Sequence, residues 1–201
     1  MNTRAFFPLV AAVAVACGGG EPEQNGSNAG GGSTPPASAP AAPALTRPTG
    51  AMTTPDWFRV DHTARTVNLS ITAGLTPEQN HWNFNGYTNG RMAINVPEGY
   101  TVNIEFHNAD PNMAHSLGIS AETQNFAMPP QPVPVFPGAI SQNPGSMVDG
   151  TMPNETETIT FVAERAGNYS MVCYIPGHTA VGMWVWFTVT SGQEAGVQTV
   201  A

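Results

Sequence analysis

No stretch between Asp56 and Thr190 keeps an apolar residue at every third or fourth position for three turns. That excludes helix bundles and leaves strands to build the core. The runs that do carry a pattern alternate, as half-buried strands do. Thr66 to Ile71 alternates polar and apolar, and Tyr100 to Asn108 sets Val102, Ile104 and Phe106 on one face. His81 to Gly86 alternates briefly. Arg91 to Val96, Ala114 to Ser120, Thr156 to Val162, Asn168 to Cys173 and Met183 to Thr190 complete a set of about eight, punctuated by Gly and Pro turns. The expectation is an all-β sandwich or barrel. Gln124 to Gly150 stands apart, because Pro129, Pro130, Pro132, Pro134, Pro137 and Pro144 disfavour any regular element. Its neighbourhood holds Met128, Met147 and Met152, which are expected to fill gaps in the packing.

Chemistry concentrates in Tyr169 to Thr190. Cys173 closes one apolar run and Met183 opens the next, with Pro176-Gly177 turning the chain between them and His178 midway. The spacing Cys-x4-His-x4-Met lets one loop present a thiolate, an imidazole and a thioether to one point. With one more histidine this is the donor set that favours copper in a trigonal His2Cys site with a long axial Met. Each residue alone has an ordinary explanation in packing or solvation. The combination between two strand-like runs does not.

Four other histidines could complete the set. His107 has the opposite parity to Val102, Ile104 and Phe106 and is expected to face solvent. His62 lies in a polar stretch, and His81 opens a brief run beside Trp82. His115 shares parity with Leu117 and Ile119 and follows the turn-like Asp110-Pro111-Asn112, so it is expected to start a strand pointing inward. The predicted metal ligands are therefore His115, Cys173, His178 and Met183.

The two ends read differently. Met1 to Cys17 has Arg4, an apolar run from Phe6 to Ala16 of signal-peptide length, and a lipobox-like Ala14-Val15-Ala16-Cys17. Residues 1–17 are expected to be a signal peptide with a lipid-accepting Cys17, and residues 18–55 a Gly/Ala/Pro-rich linker. The folded domain is expected over 56–190 and a flexible tail over 191–201. Such a chain is exported and held at a membrane by its lipid. An acylated Cys17 could not pair with Cys173, and a single remaining thiol in an oxidising compartment is explained by a metal. Only 10% of residues are charged, the net charge is −8 and all six basic residues are arginines, so no basic stripe for nucleic acid exists. The acidity suits a basic protein partner.

Several of these pieces resemble the cupredoxins, the mononuclear blue copper proteins, and within them the sulfocyanins and rusticyanin-like proteins. They are Asn83-Phe84-Asn85-Gly86 with Asn89-Gly90, Val96-Pro97-Glu98-Gly99-Tyr100, His115-Ser116-Leu117, and Val172 to His178 with Gly182-Met183-Trp184. The resemblance spans about Trp82 to Val189. It implies a Greek-key β-sandwich holding one copper per chain. His115, Cys173 and His178 would be equatorial and Met183 axial. It implies a monomer that passes one electron, as Cu(I)/Cu(II), between redox proteins such as a cytochrome c or a membrane oxidase. It also implies that electrons leave by the edge of His178, as the solvent-side ligand. A high potential is expected from the resemblance, from Pro176, which offers no N–H near the sulfur, and from Trp184, Trp186, Phe84 and Phe161 as an apolar surround. A copper carrier would use the same ligands in a more open site. A copper enzyme would need a further histidine cluster, and His62, His81 and His107 form no His-x-His pair.

Overall fold

The computed structural model describes residues 46–122 and 130–200. The signal peptide, Cys17, most of the linker, and Met128 lie outside the described residues. Among those described, no helix is long and apolar enough to cross a membrane.

The core is made by alternation. In β2 (Thr66–Ala73), Val67, Leu69, Ile71 and Ala73 turn inward, and in β4 (Thr101–Asn108), Val102, Ile104 and Phe106 do the same. These two strands pair in parallel, Val67 beside Val102 and Ile71 beside Phe106. With β1 (Phe58–Asp61) and β6 (Thr156–Val162) they form a four-stranded sheet in the order β1-β2-β4-β6. The second sheet contains β3 (Met92–Pro97), β5 (Gly118–Ala121), β7 (Gly167–Val172), β8 (Trp184–Thr190) and β9 (Gly196–Thr199), in the order β5-β7-β8-β3-β9.

The second sheet is buried on both faces at its centre. All six residues of β3 are buried, as are Trp184 to Phe187 of β8. Val185, Phe187 and Val189 join the main core between the sheets. Trp184 and Trp186 turn the other way and form a smaller cluster with Ala93, Val172 and Tyr174. Arg47 lies over the Trp186 ring at 4.2 Å and donates a hydrogen bond to Thr188, so the last part of the expected linker packs against this outer face. The two tryptophans therefore do not surround the metal loop, as expected, but seal the far side of the sheet. Phe161 is also engaged elsewhere, stacked on Phe136 at 5.7 Å.

Three elements differ from the alternation. His81 to Gly86 is not a strand. Gln79, Asn80, His81 and Asn85 have φ between 50° and 66°, a left-handed conformation no strand tolerates. His115 precedes its strand rather than starting it: β5 begins at Gly118, and His115 makes an isolated bridge to Thr151. The expected tail is not loose where it is described: Gly196–Thr199 is β9, antiparallel to β3, and Val197 is buried. Burying one valine and pairing the free edge of β3 outweigh the polar composition. The Pro-rich segment carries no strand in its described part, yet its Phe136 is fully buried against Phe161 and Tyr169. Met147 is 55% exposed and fills no gap, whereas Met152 packs on the core.

Candidate metal centre

The loop after β7 is wound tightly by its own backbone. The Cys173 N–H donates to the Met183 carbonyl, the His178 N–H to Ile175, the Gly182 N–H to Thr179 and the Met183 N–H to His178. The Thr179 hydroxyl also donates back to the Cys173 carbonyl. Gly182 has φ of 115°, and a Cβ there would lie 2.4 Å from the Asn89 side chain. Only glycine lets the loop close down on Asn89, whose N–H donates to the Gly182 carbonyl at 2.7 Å. Asn89 and Gly90 thus clamp the loop from the neighbouring turn.

His115 is placed by a polar network at the exit of β4. The Asn108 amide donates to the carbonyls of Met113 and Thr151, and its oxygen accepts from the Asp110 N–H. One Asp110 carboxylate oxygen accepts from the N–H groups of Asn112 and Met113. The other, at 2.9 Å, accepts the Nε2–H of His115. That bond fixes the tautomer: the proton sits on Nε2, and Nδ1 carries a lone pair.

The lone pair faces the loop. His115 Nδ1 lies 3.2 Å from His178 Nδ1 and 4.0 Å from Cys173 Sγ, and His178 Nδ1 lies 3.6 Å from the same sulfur. Two nitrogens about 2.0 Å and a sulfur about 2.3 Å from one ion, spread in a triangle, would stand about 3.5 Å apart (N to N) and about 3.7 Å apart (N to S). The spacing fits one small cation. Among the described residues, His115, Cys173 and His178 are the group of histidine, cysteine and acidic side chains able to hold a metal ion. Met183 is fully buried in the same cluster as Cys173 and Ile175.

The site is dry. His115 and Cys173 are 0% exposed and His178 1%. Burial pushes the Cys173 thiol up to about 11, against hydrogen bonds from the Ser116 hydroxyl and from the backbone at Ile175 and Ser116. Burial also pushes His178 down to about 3, helped by repulsion from His115, while Asp110 pulls the other way. His115 is lowered by burial too, despite its bond to Asp110. Both imidazoles are thus neutral donors, and a metal must displace the thiol proton to take the sulfur. The Ser116 hydroxyl lies 3.6 Å from that sulfur and accepts the Tyr174 N–H at 2.8 Å.

One expectation fails here. His178 is not a solvent-side group. The indole of Trp82 stacks on its ring at 4.0 Å and 18°, and its Nε2 is buried without a hydrogen-bond partner. The other histidines stay away from the cluster. His62 bonds Tyr100, His81 the Gly74 carbonyl and His107 Thr156, the last on the outer face of β4 as its parity implies. Asp110 was legible only as a turn residue, although an acid five positions before a ligand histidine is the signal that exposes its second role.

Two packed sheets with a Cys-His-His cluster at one end define a cupredoxin. The sulfocyanin (SoxE) domain family matches residues 55–198, and the chain belongs to that family. It is 30% identical to sulfocyanin of Sulfolobus acidocaldarius over 65% of this chain and 67% of that one. It is 29% identical to rusticyanin of Acidithiobacillus ferrooxidans over 62% of this chain and 77% of that one. A solved rusticyanin structure shares 25% identity over 67% of this chain and 88% of that one, with a TM-score of 0.46.

Proposed function

We propose that the protein is a type 1 copper electron carrier whose metal is held by His115, Cys173 and His178, with Met183 as the weak axial ligand. The observation that carries this reading is the convergence of two neutral imidazole nitrogens and one sulfur within 4.8 Å in a site closed to water. Bound there, copper supplies one-electron chemistry between its two oxidation states. The chain's part is to hold the donors still. Asp110 fixes the His115 ring, the backbone-wound loop fixes Cys173 and His178, and Ser116 ties the sulfur to the Tyr174 backbone. Rigid donors keep the reorganisation on electron transfer small. Burial by Ile175 and Met183 disfavours the more highly charged oxidised site and supports a high potential. Closed ligands oppose hand-over of the metal, which disfavours a copper carrier.

The test is the visible spectrum of the copper-loaded protein. An intense thiolate-to-copper band, absent in Cys173→Ala, supports the reading; a colourless protein with weak copper binding overturns it. The leader-like residues 1–17 further support a role outside the cytoplasm, anchored by lipid on Cys17 and serving a cytochrome or membrane oxidase. Fatty-acid labelling that Cys17→Ala leaves intact would sink the anchor.

A further inference from the structure

None of the four proposed ligands reaches solvent: His115, Cys173 and Met183 are 0% exposed and His178 1%. An electron entering or leaving must therefore cross a side chain that covers one of them. Trp82 is in ring contact with His178, at 4.0 Å and nearly parallel, and is itself half-buried. Its indole covers the His178 ring on a residue that is itself part-exposed.

The chain goes to some expense to put it there. Trp82 follows three successive left-handed residues, Gln79, Asn80 and His81, with φ of 52°, 57° and 66°. Each such non-glycine residue costs roughly 1 kcal/mol or more, and such strain persists only where surroundings over-determine it. The surroundings do so. Asn83, 0% exposed, donates from its amide to the Thr76 and Glu78 carbonyls and accepts the Gly86 N–H. His81 is tied to the Gly74 carbonyl, and the Trp82 N–H donates to the Gln79 carbonyl. The Trp82 Nε1 has no partner, so no hydrogen bond of the indole explains its place; the contact with His178 does.

We propose that Trp82 is the electron gateway of this protein. An electron from a reduced one-electron carrier, which would be oxidised by one, would pass through the indole and His178 to oxidised copper held there, which would be reduced by one. Trp82 is a tunnelling bridge and is not itself oxidised, and no proton moves. The surface beside it suits a brief apolar contact: Pro176, Gly177, Ala180 and Val181 are exposed, and no charged residue occurs from Tyr174 to Thr190. The rival approach is by Met147, which with Met113 and Ile175 lines a cavity of about 90 Å³ that Trp82 does not line.

This proposal rests on the copper reading, and its test separates the two. In the copper-free protein, the indole ring current shifts the His178 ring protons upfield in NMR spectra, and Trp82→Leu removes that shift. An unshifted His178 overturns the stack, whatever the copper result. In the copper-loaded protein, Trp82→Leu keeps the blue band while self-exchange and reduction by hexaammineruthenium slow measurably, because the conjugated ring between His178 and the reductant is lost. Trp82→Phe falls between, and Met147→Ala matches the parent. If Leu also alters the band, Trp82→Phe, which keeps an aromatic ring over His178, decides. Parent rates in that variant and in Leu, or a slow Met147→Ala, overturn the gateway. Absence of a blue band in the parent, with the NMR shift intact, indicts the copper reading instead.

Discussion

The two histidines of the site are held by opposite means. His115 is gripped by a directional polar network, Asn108 to Asp110 to the ring Nε2–H. His178 has no hydrogen bond at its Nε2 and is held by a wound backbone on one side and a flat indole on the other. The polar grip fixes a tautomer and an angle. The stacked grip fixes a plane, excludes water and leaves the ring in contact with a conjugated neighbour. One histidine is thus held by a directional bond and the other by a flat contact.

The largest expected effect removes what the two sides share. Cys173→Ala abolishes the visible band, because each imidazole loses the sulfur it faces. Asp110→Ala breaks the polar side alone. It leaves the buried His115 N–H without an acceptor, which costs about 3 kcal/mol on urea denaturation. Copper affinity falls roughly 10- to 100-fold, as for other lost partners of ligating histidines. Asp110→Asn, which keeps an acceptor oxygen, is milder on both counts. Parental affinity in Asp110→Ala would erase the contrast between the two grips.

Acid probes the stacked side. His178 stays neutral in the folded copper-free chain down to about pH 3, while an unfolded histidine titrates near 6.5. Between those values the unfolded chain takes up a proton that the folded chain refuses, so stability falls as the pH drops. The copper-free protein should be about 3 kcal/mol less stable at pH 4 than at pH 7 from this group. His178→Gln should flatten the slope by that amount, and an unchanged slope would show the ring is not held dry. The smallest effect belongs to Ser116→Ala. It strands the buried Tyr174 N–H for about 1 kcal/mol and leaves both histidines where they are, visible as an unchanged His178 ring shift.

Much of this was readable from residue order. Parity placed His115 inward, and the Cys-x4-His-x4-Met spacing between two strands marked the loop, because ligands on one short loop leave their geometry in the sequence. The stack did not leave such a trace. Trp82 reaches His178 across 96 positions by way of left-handed residues at 79, 80 and 81, and alternation read that segment as a strand. Asp110 left only a faint one, an acid five positions before His115, and its turn chemistry hid the bond. Strand β9 was missed because a four-residue edge strand with one buried valine carries almost no periodic signal.

Strand β3 lies between β8 and β9, the last two of the described strands. Its six residues, all buried in the end, are made long before either neighbour exists. During synthesis the segment therefore waits with both edges open, a tacky ribbon that any other extended peptide could join. Premature arrest before Trp184 would leave it permanently unpaired. The vulnerable period is the interval before Trp184–Thr190 and Gly196–Thr199 are available to pair with it.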